Sequence, residues 1–323
     1  MPFEHVAVIG GGAWGTALAQ AAAMAGRSVT LVARDRAVIE EINQQSRNRA
    51  YLGDIALSDN IIALDHFDAR ADLVILAVPA QASRTALAAV AASLAGRPVV
   101  LSAKGLEAGT QRRQSEIVRE VAPGAIPYVL SGPSFAADVA AGRPTAVTLA
   151  GDDAAATEEV AAALAGPTFR PYAAGDIVGV EIAGALKNVY ALACGAVEGA
   201  DLGASARSAL IARAYAELSR ITVAMGGVAS TLTGLAGMGD LTLSCTSTQS
   251  RNYRAGMALG RGGHPSGAEL AEGVLTAPVA RGMAHRLGID APLIDAVNLL
   301  LAGTASIDDI VAGLMTRPLK RED

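Results

Sequence analysis

Residues 5–33 read HVAVIGGGAWGTALAQAAAMAGRSVTLVA: a short β-branched run, a glycine turn, an alanine-rich stretch and a second β-branched run. Few folds accommodate that order. Parallel strands cannot be joined by a tight turn, so the helix between them must cross over and pack on the sheet. The alternation continues, with strand patterns at His5–Gly10, Ser28–Ala33, Leu73–Val78, Val99–Ser102, Tyr128–Ser131, Ala146–Ala150 and Phe169–Tyr172. Helical stretches fall at Trp14–Ala25, Arg36–Arg47, Ala80–Ala95, Arg112–Val121 and Ala154–Ala165. The expectation is a Rossmann-type doubly wound α/β domain with a parallel sheet. Beyond Ala173–Asp176 the strand signal fades and the chain reads as helical. We therefore expect a ligand-binding α/β domain over residues 1–175, which the turn below makes an NAD(P)-binding one, and an all-α substrate domain over residues 176–323, with a cleft between them.

The turn itself has the spacing Gly10-x-Gly12-x-x-Gly15, between a strand and a helix. There the glycines have separate tasks: a tight turn, backbone approach to a pyrophosphate, and close contact of helix with strand. The helix N-terminus faces the anion. The second strand ends at Arg34-Asp35, where an acid would hold a ribose 2′-hydroxyl and an arginine a 2′-phosphate. Both types are present, so NAD and NADP remain open.

Composition excludes several classes. The chain is 51% apolar but only 3% aromatic, and its alanine and glycine surplus suits close packing of helices. A net charge of −5 argues against a nucleic-acid partner. A long uncharged run, 221–239, carries five glycines and reads as an interrupted interior segment rather than a membrane span. No basic region precedes the first apolar stretch, which reads as a strand and not a signal peptide; a cytoplasmic location is expected. Cys194 and Cys245 lack zinc spacing, and His5, His66, His264 and His285 are scattered, so neither a metal centre nor a serine-type triad is indicated.

Of 26 basic residues only Lys104, Lys187 and Lys320 are lysines. Lys187 is the only charged side chain between Glu181 and Glu198, and its helical neighbours Ala183, Gly184, Tyr190 and Ala191 offer no carboxylate. A lysine so placed either snorkels out of a helix seam or lines a polar pocket, where a desolvated amine can pass a proton. Lys104, in SAKGLE, follows a strand at the carboxyl edge of the sheet, where ligands of such folds bind. The plainer alternative is a solvated loop lysine. SGPSFA at 131–136 ends another strand with a turn that can present N–H groups. Lys320 sits in a polar tail as solvated charge.

Taken together, GGGAWGTALA, SAKGLE, SGPSFA, EIAGALKNVYALACG, GLAGMGDLTLSC, SRNYRAG and AEGVLTAP resemble, in order and over nearly the whole chain, the motif series of the bacterial NAD(P)-dependent glycerol-3-phosphate dehydrogenases. The resemblance implies interconversion of dihydroxyacetone phosphate and sn-glycerol 3-phosphate for phospholipid synthesis, by a homodimer with NAD or NADP. It makes Lys187 the proton-transfer residue and assigns Lys104 to cofactor and substrate. Gly132, Ser134, Asp240, Ser250, Arg251 and Asn252 fall at substrate positions. Trp14, Arg34, Tyr51, Ala136, Leu270 and Glu272 fall at cofactor positions, which Arg251 also reaches. Ala13 and Gly53 depart from the series, Gly53 standing where a proline commonly follows Tyr-Leu, and the loop between Gly262 and Glu272 is shorter than usual.

Reduction of a ketone needs an acid for the oxygen, and Lys187 would supply it, with Lys104 lowering the Lys187 pKa by repulsion and steadying the oxyanion. Asp240 would orient an ammonium or a substrate hydroxyl; by spacing alone it is equally a helix cap. Arg251 would anchor the phosphate. Two other readings stay open: a related two-domain reductase of ketopantoate reductase or β-hydroxyacid dehydrogenase type, and a non-catalytic NAD(P)-sensing regulator.

Overall fold

A computed structural model describes residues 3–263 and 271–318. Eight strands form one sheet: β1 (His5–Ile9), β2 (Ser28–Val32), β3 (Ile61–Leu64), β4 (Leu73–Leu76), β5 (Pro98–Leu101), β6 (Ile126–Ser131), β7 (Thr145–Ala150) and β8 (Phe169–Ala174). Their spatial order is β3-β2-β1-β4-β5-β6-β7-β8. The chain thus winds outward from β1 in both directions, with Val6 aligned to Val29 on one side and Leu73 on the other. The expected parallel sheet holds from β3 to β6. β7 then pairs antiparallel with β6, and β8 runs parallel to β7. The cause is that β6 returns to β7 through the short turn 132–144, which contains a single helical turn and cannot make a full crossover.

The helices are α1 (Ala13–Met24), α2 (Arg36–Gln45), α3 (Arg49–Leu52), α4 (Ser83–Val90), α5 (Gln114–Val121), α6 (Ala136–Ala140), α7 (Ala154–Leu164), α8 (Ile177–Gly199), α9 (Gly203–Ala224), α10 (Asp240–Thr246), α11 (Arg251–Gly260), α12 (Glu272–Arg286), α13 (Pro292–Ala302) and α14 (Ile307–Met315). Two apolar cores cover the faces of the sheet, one built around Leu18, Leu31 and Ile75, the other around Leu76, Leu101 and Ile117. β3 was not foreseen, and the helix expected over 80–95 is 3₁₀ at both ends of α4.

After Ala174 the described residues form no strand, and α8 becomes the axis of a third core. Asp176 starts it by accepting from Gly179 N at 2.8 Å. α8 is long and apolar enough to cross a membrane, but 94% of its apolar window is buried inside the protein, as a core helix requires. Its packing accounts for the alanine and glycine surplus. A Cβ on Gly195 would stand 2.0 Å from Tyr253 O, and one on Gly256 2.1 Å from Leu192 O, so α8 and α11 meet backbone to backbone.

Candidate active site

The glycine turn closes at the carboxyl edge of β1. Gly10 has φ +128° and donates its N–H to Val32 O at 2.9 Å; a Cβ there would lie 2.4 Å from Ala77 O. At Gly15 a Cβ would fall 1.8 Å from Gly10 O, so this glycine sets the helix against the strand. Gly12, at the N-cap of α1, has nothing within 4 Å of its Cβ position. Two glycines are thus required by the protein and the third leaves open space before a helix N-terminus, a fit to a pyrophosphate. Trp14 packs beside the turn on the first core. One residue that sequence reasoning missed also belongs here. Asn48, fully buried, donates to Gly11 O at 3.1 Å and Thr16 Oγ1 at 2.8 Å, tying α3 and Tyr51 to the turn. Only its place beside Tyr51 could have signalled it. Gly53 ends α3 at φ +62°, a conformation closed to the proline commonly found there.

At the end of β2, Asp35 is committed to α2, accepting from Ala37 N at 2.9 Å. Arg36 pairs with Glu40 at 2.9 Å. Arg34 is exposed and has no partner among the described residues.

The catalytic candidates meet where the two domains face each other. Lys187 is 7% exposed and donates to Asp240 Oδ1 at 2.6 Å and Ser244 Oγ at 2.7 Å. Lys104 donates to the other carboxylate oxygen, Asp240 Oδ2, at 2.6 Å and to Gly132 O at 3.0 Å. One buried carboxylate therefore bridges the two rare lysines. Asp240 opens α10, but its side chain serves the lysines, which decides between the two readings of its spacing. Gly184 makes room for Lys104: a Cβ there would meet Lys104 Cγ at 3.5 Å and Ser131 Oγ at 3.0 Å. Burial is the main cause that pulls Lys104 down to about 8; Asp240 opposes it and Lys187 adds to it. Burial pushes the Asp240 carboxyl up, but the two ammoniums outweigh burial and hold it below the ordinary carboxylate range.

A chain of amides ties this centre to the neighbouring helices. Asn188 donates to Lys104 O at 2.8 Å, Asn252 donates to Asn188 Oδ1 at 2.9 Å, and Gly273 N donates to Asn252 Oδ1 at 2.8 Å. Asn188 and Ser244 had no sequence signal beyond adjacency to Lys187 and Asp240. Ser134 closes its own turn by donating to Gly132 O at 3.1 Å, and Ala136 opens α6 two residues on. Ser250 caps α11 by accepting from Tyr253 N at 3.3 Å, leaving Arg251 exposed in the first turn, with no hydrogen bond or salt bridge among the described residues. Glu272 opens α12 and accepts from Ala80 N at 3.1 Å; burial pushes its carboxyl up. Leu270 and Lys320 lie outside the described residues.

A glycine turn on a doubly wound sheet, with one buried amine of the sheet domain and one of the helical domain meeting on a single carboxylate, defines a two-domain NAD(P)-dependent oxidoreductase. Two family models match: NAD-dependent glycerol-3-phosphate dehydrogenase N-terminus over residues 5–157 and the C-terminus of the same family over residues 176–312. The chain belongs to the NAD-dependent glycerol-3-phosphate dehydrogenase family and is an NAD(P)-dependent enzyme acting on a CH–OH group. A glycerol-3-phosphate dehydrogenase [NAD(P)+] of Brucella ovis is 50% identical over 322 residues, 98% of this chain and 99% of that one. Its counterpart in Caulobacter vibrioides is 48% identical over the whole of both chains. The crystal structure of the glycerol-3-phosphate dehydrogenase of Coxiella burnetii superposes with a TM-score of 0.91 at 33% identity, covering 98% of this chain and 99% of that one. The family match sets aside the related reductases and the non-catalytic regulator.

Proposed function

We propose that residues 1–175 hold NAD or NADP, that residues 176–323 supply most of the substrate site, and that the enzyme interconverts dihydroxyacetone phosphate and sn-glycerol 3-phosphate. The observation that carries this reading is the Lys187–Asp240–Lys104 bridge. An ammonium has three N–H donors. Lys187 spends two on Asp240 and Ser244, and Lys104 two on Asp240 and Gly132. One donor remains on each, and together they suit a single carbonyl oxygen that becomes an alkoxide. NAD(P), held at the glycine turn, would supply or accept the hydride. Lys187 gives its proton to the developing alkoxide, and in oxidation its neutral amine takes the hydroxyl proton.

Arg251, with the first-turn N–H groups of α11 and the remaining donors of Ser250 and Asn252, receives the substrate phosphate. Gly132 and Ser134 border the substrate, while Gly10, Gly12, Trp14, Gly15, Arg34, Tyr51, Ala136, Leu270 and Glu272 border the cofactor. The same reading has a cytoplasmic homodimer, with no membrane or nucleic-acid partner, working in the reducing direction that feeds phospholipid synthesis. Lys187→Met tests it: the variant is expected to lose turnover while titrating with NAD(P)H as the parent does. Near-parental turnover would remove Lys187 from proton transfer.

A further inference from the structure

Another buried acid, Glu181 on α8, lies away from the amines and takes no part in the chemistry above. Glu181 is 8% exposed, and its carboxylate is captured by the first turn of α5 in the sheet domain. It accepts from Ser115 N at 2.7 Å, Ser115 Oγ at 2.6 Å and Arg113 at 3.2 Å. The next residue of the same turn points elsewhere: Gln114, 2% exposed, donates to Gly105 O at 3.0 Å, and so grips the loop that carries Lys104. Three consecutive residues, Arg113 to Ser115, therefore hold both the helix of Lys187 and the loop of Lys104.

We infer that Glu181 is a positioning residue, which through the α5 turn sets α8 against the Lys104 loop and so fixes the separation of the two amines on Asp240. The inference rests on the roles proposed for Lys187 and Lys104. Its physical basis is the stiffness of the link. A carboxylate held by a backbone N–H, a hydroxyl and a guanidinium at a helix N-terminus is a charge-assisted attachment that restrains both rotation and sliding of α8. Two polar bonds tie α8 to the amine cluster, Lys187 to Asp240 at 2.6 Å and Asn188 to Lys104 O at 2.8 Å, and a small slide of α8 would break both. Burial pushes the Glu181 carboxyl above its usual range, against the pull of Ser115 and Arg113. The clamp is kept by geometry in spite of that desolvation.

The readout is the pH profile of kcat in the reducing direction, measured with saturating NAD(P)H and dihydroxyacetone phosphate. The groups facing Lys104 are Asp240 on α10, Lys187 on α8 and, farther off, Glu272 on α12. Loss of the clamp lets water reach this cluster, and since burial is what lowers Lys104, the alkaline limb moves up. For Glu181→Ala we expect kcat to fall about ten- to a hundredfold, KM for NAD(P)H to stay within about twofold, and the alkaline limb to rise by about half a unit or more. Glu181→Gln keeps an acceptor for Ser115 N–H and should regain part of the rate. A Glu181→Ala protein that melts earlier yet keeps the parental kcat and alkaline limb overturns the inference. Should that variant fail to fold, Ser115→Ala carries the test: an upward limb supports the positioning role and a parental limb refutes it. Absence of turnover in the parent enzyme itself would instead sink the assigned reaction.

Discussion

Replacing Asp240 by Asn keeps the shape of the bridging side chain and removes its charge. In the parent, one carboxylate 1% exposed pairs with two amines at 2.6 Å each. Breaking a buried ion pair by removing one partner costs about 3–5 kcal/mol. Falling wholly on the transition state, that would be on the order of a hundred- to several-thousandfold in rate. The site has a cheaper response, because a lysine can lose its proton rather than stay charged and unpaired. Lys104 is the one to respond: with Asp240 neutral, the two remaining causes, burial and Lys187, both lower it from about 8. We expect Asp240→Asn to cut kcat about a hundredfold at pH 7 and to move the alkaline limb of the reduction rate down by about one unit or more. The direction is opposite to that expected for Glu181→Ala. Stability carries a second signature. Asp240 is depressed in the folded protein, so its contribution is present above the unfolded carboxylate value and lost as pH falls through the folded one. Lys104 acts in the same sense in a higher window: between about 8 and its ordinary 10.5 the unfolded chain holds more protons, so the cost of burying its ammonium is relieved and stability rises with pH. Thermal melts from pH 3 to 7 should therefore fall off less steeply in Asp240→Asn. Retention of kcat within about threefold, with an unmoved alkaline limb, would refute the bridging role.

The glycine turn separates ligand space from packing space. Gly12→Val should leave the melting temperature near parental but weaken NAD(P)H binding tenfold or more by titration (about 1.4 kcal/mol), whereas Gly15→Ala, whose Cβ would meet Gly10 O at 1.8 Å, should lower the melting temperature itself. Arg34→Ala should raise KM for NADPH by about tenfold and leave KM for NADH within about twofold, since Asp35 is occupied by α2. Arg251→Lys should raise KM for dihydroxyacetone phosphate more than it lowers kcat, because a point charge replaces a planar fork at the phosphate; an unchanged KM would remove Arg251 from that role.

Local pattern carried the sheet domain. The strand–glycine turn–helix order made β1, α1 and β2 readable because each element repeats its own period. β3 escaped because it is a four-residue edge strand, Ile61–Leu64, flanked by Asp59-Asn60 and Asp65 and too short to show alternation. The reversal at β7 escaped for a different reason: Ala146–Ala150 reads the same in either direction, and only pairing with β6 fixes it. In the site, the rarity of lysine drew attention to Lys104 and Lys187, but the partner of each is Asp240, 136 and 53 residues away. No helical spacing could announce that contact. Asn48, Ser115, Glu181 and Asn188 were invisible because their work is to hold backbone or side chains of remote segments, which leaves no periodic mark.

The most direct measurement follows NAD(P)H absorbance on addition of dihydroxyacetone phosphate to the parent enzyme. Saturable loss of absorbance, with equimolar formation of sn-glycerol 3-phosphate, is the predicted result. Cofactor binding with no oxidation of NAD(P)H at any dihydroxyacetone phosphate concentration would contradict the assigned reaction.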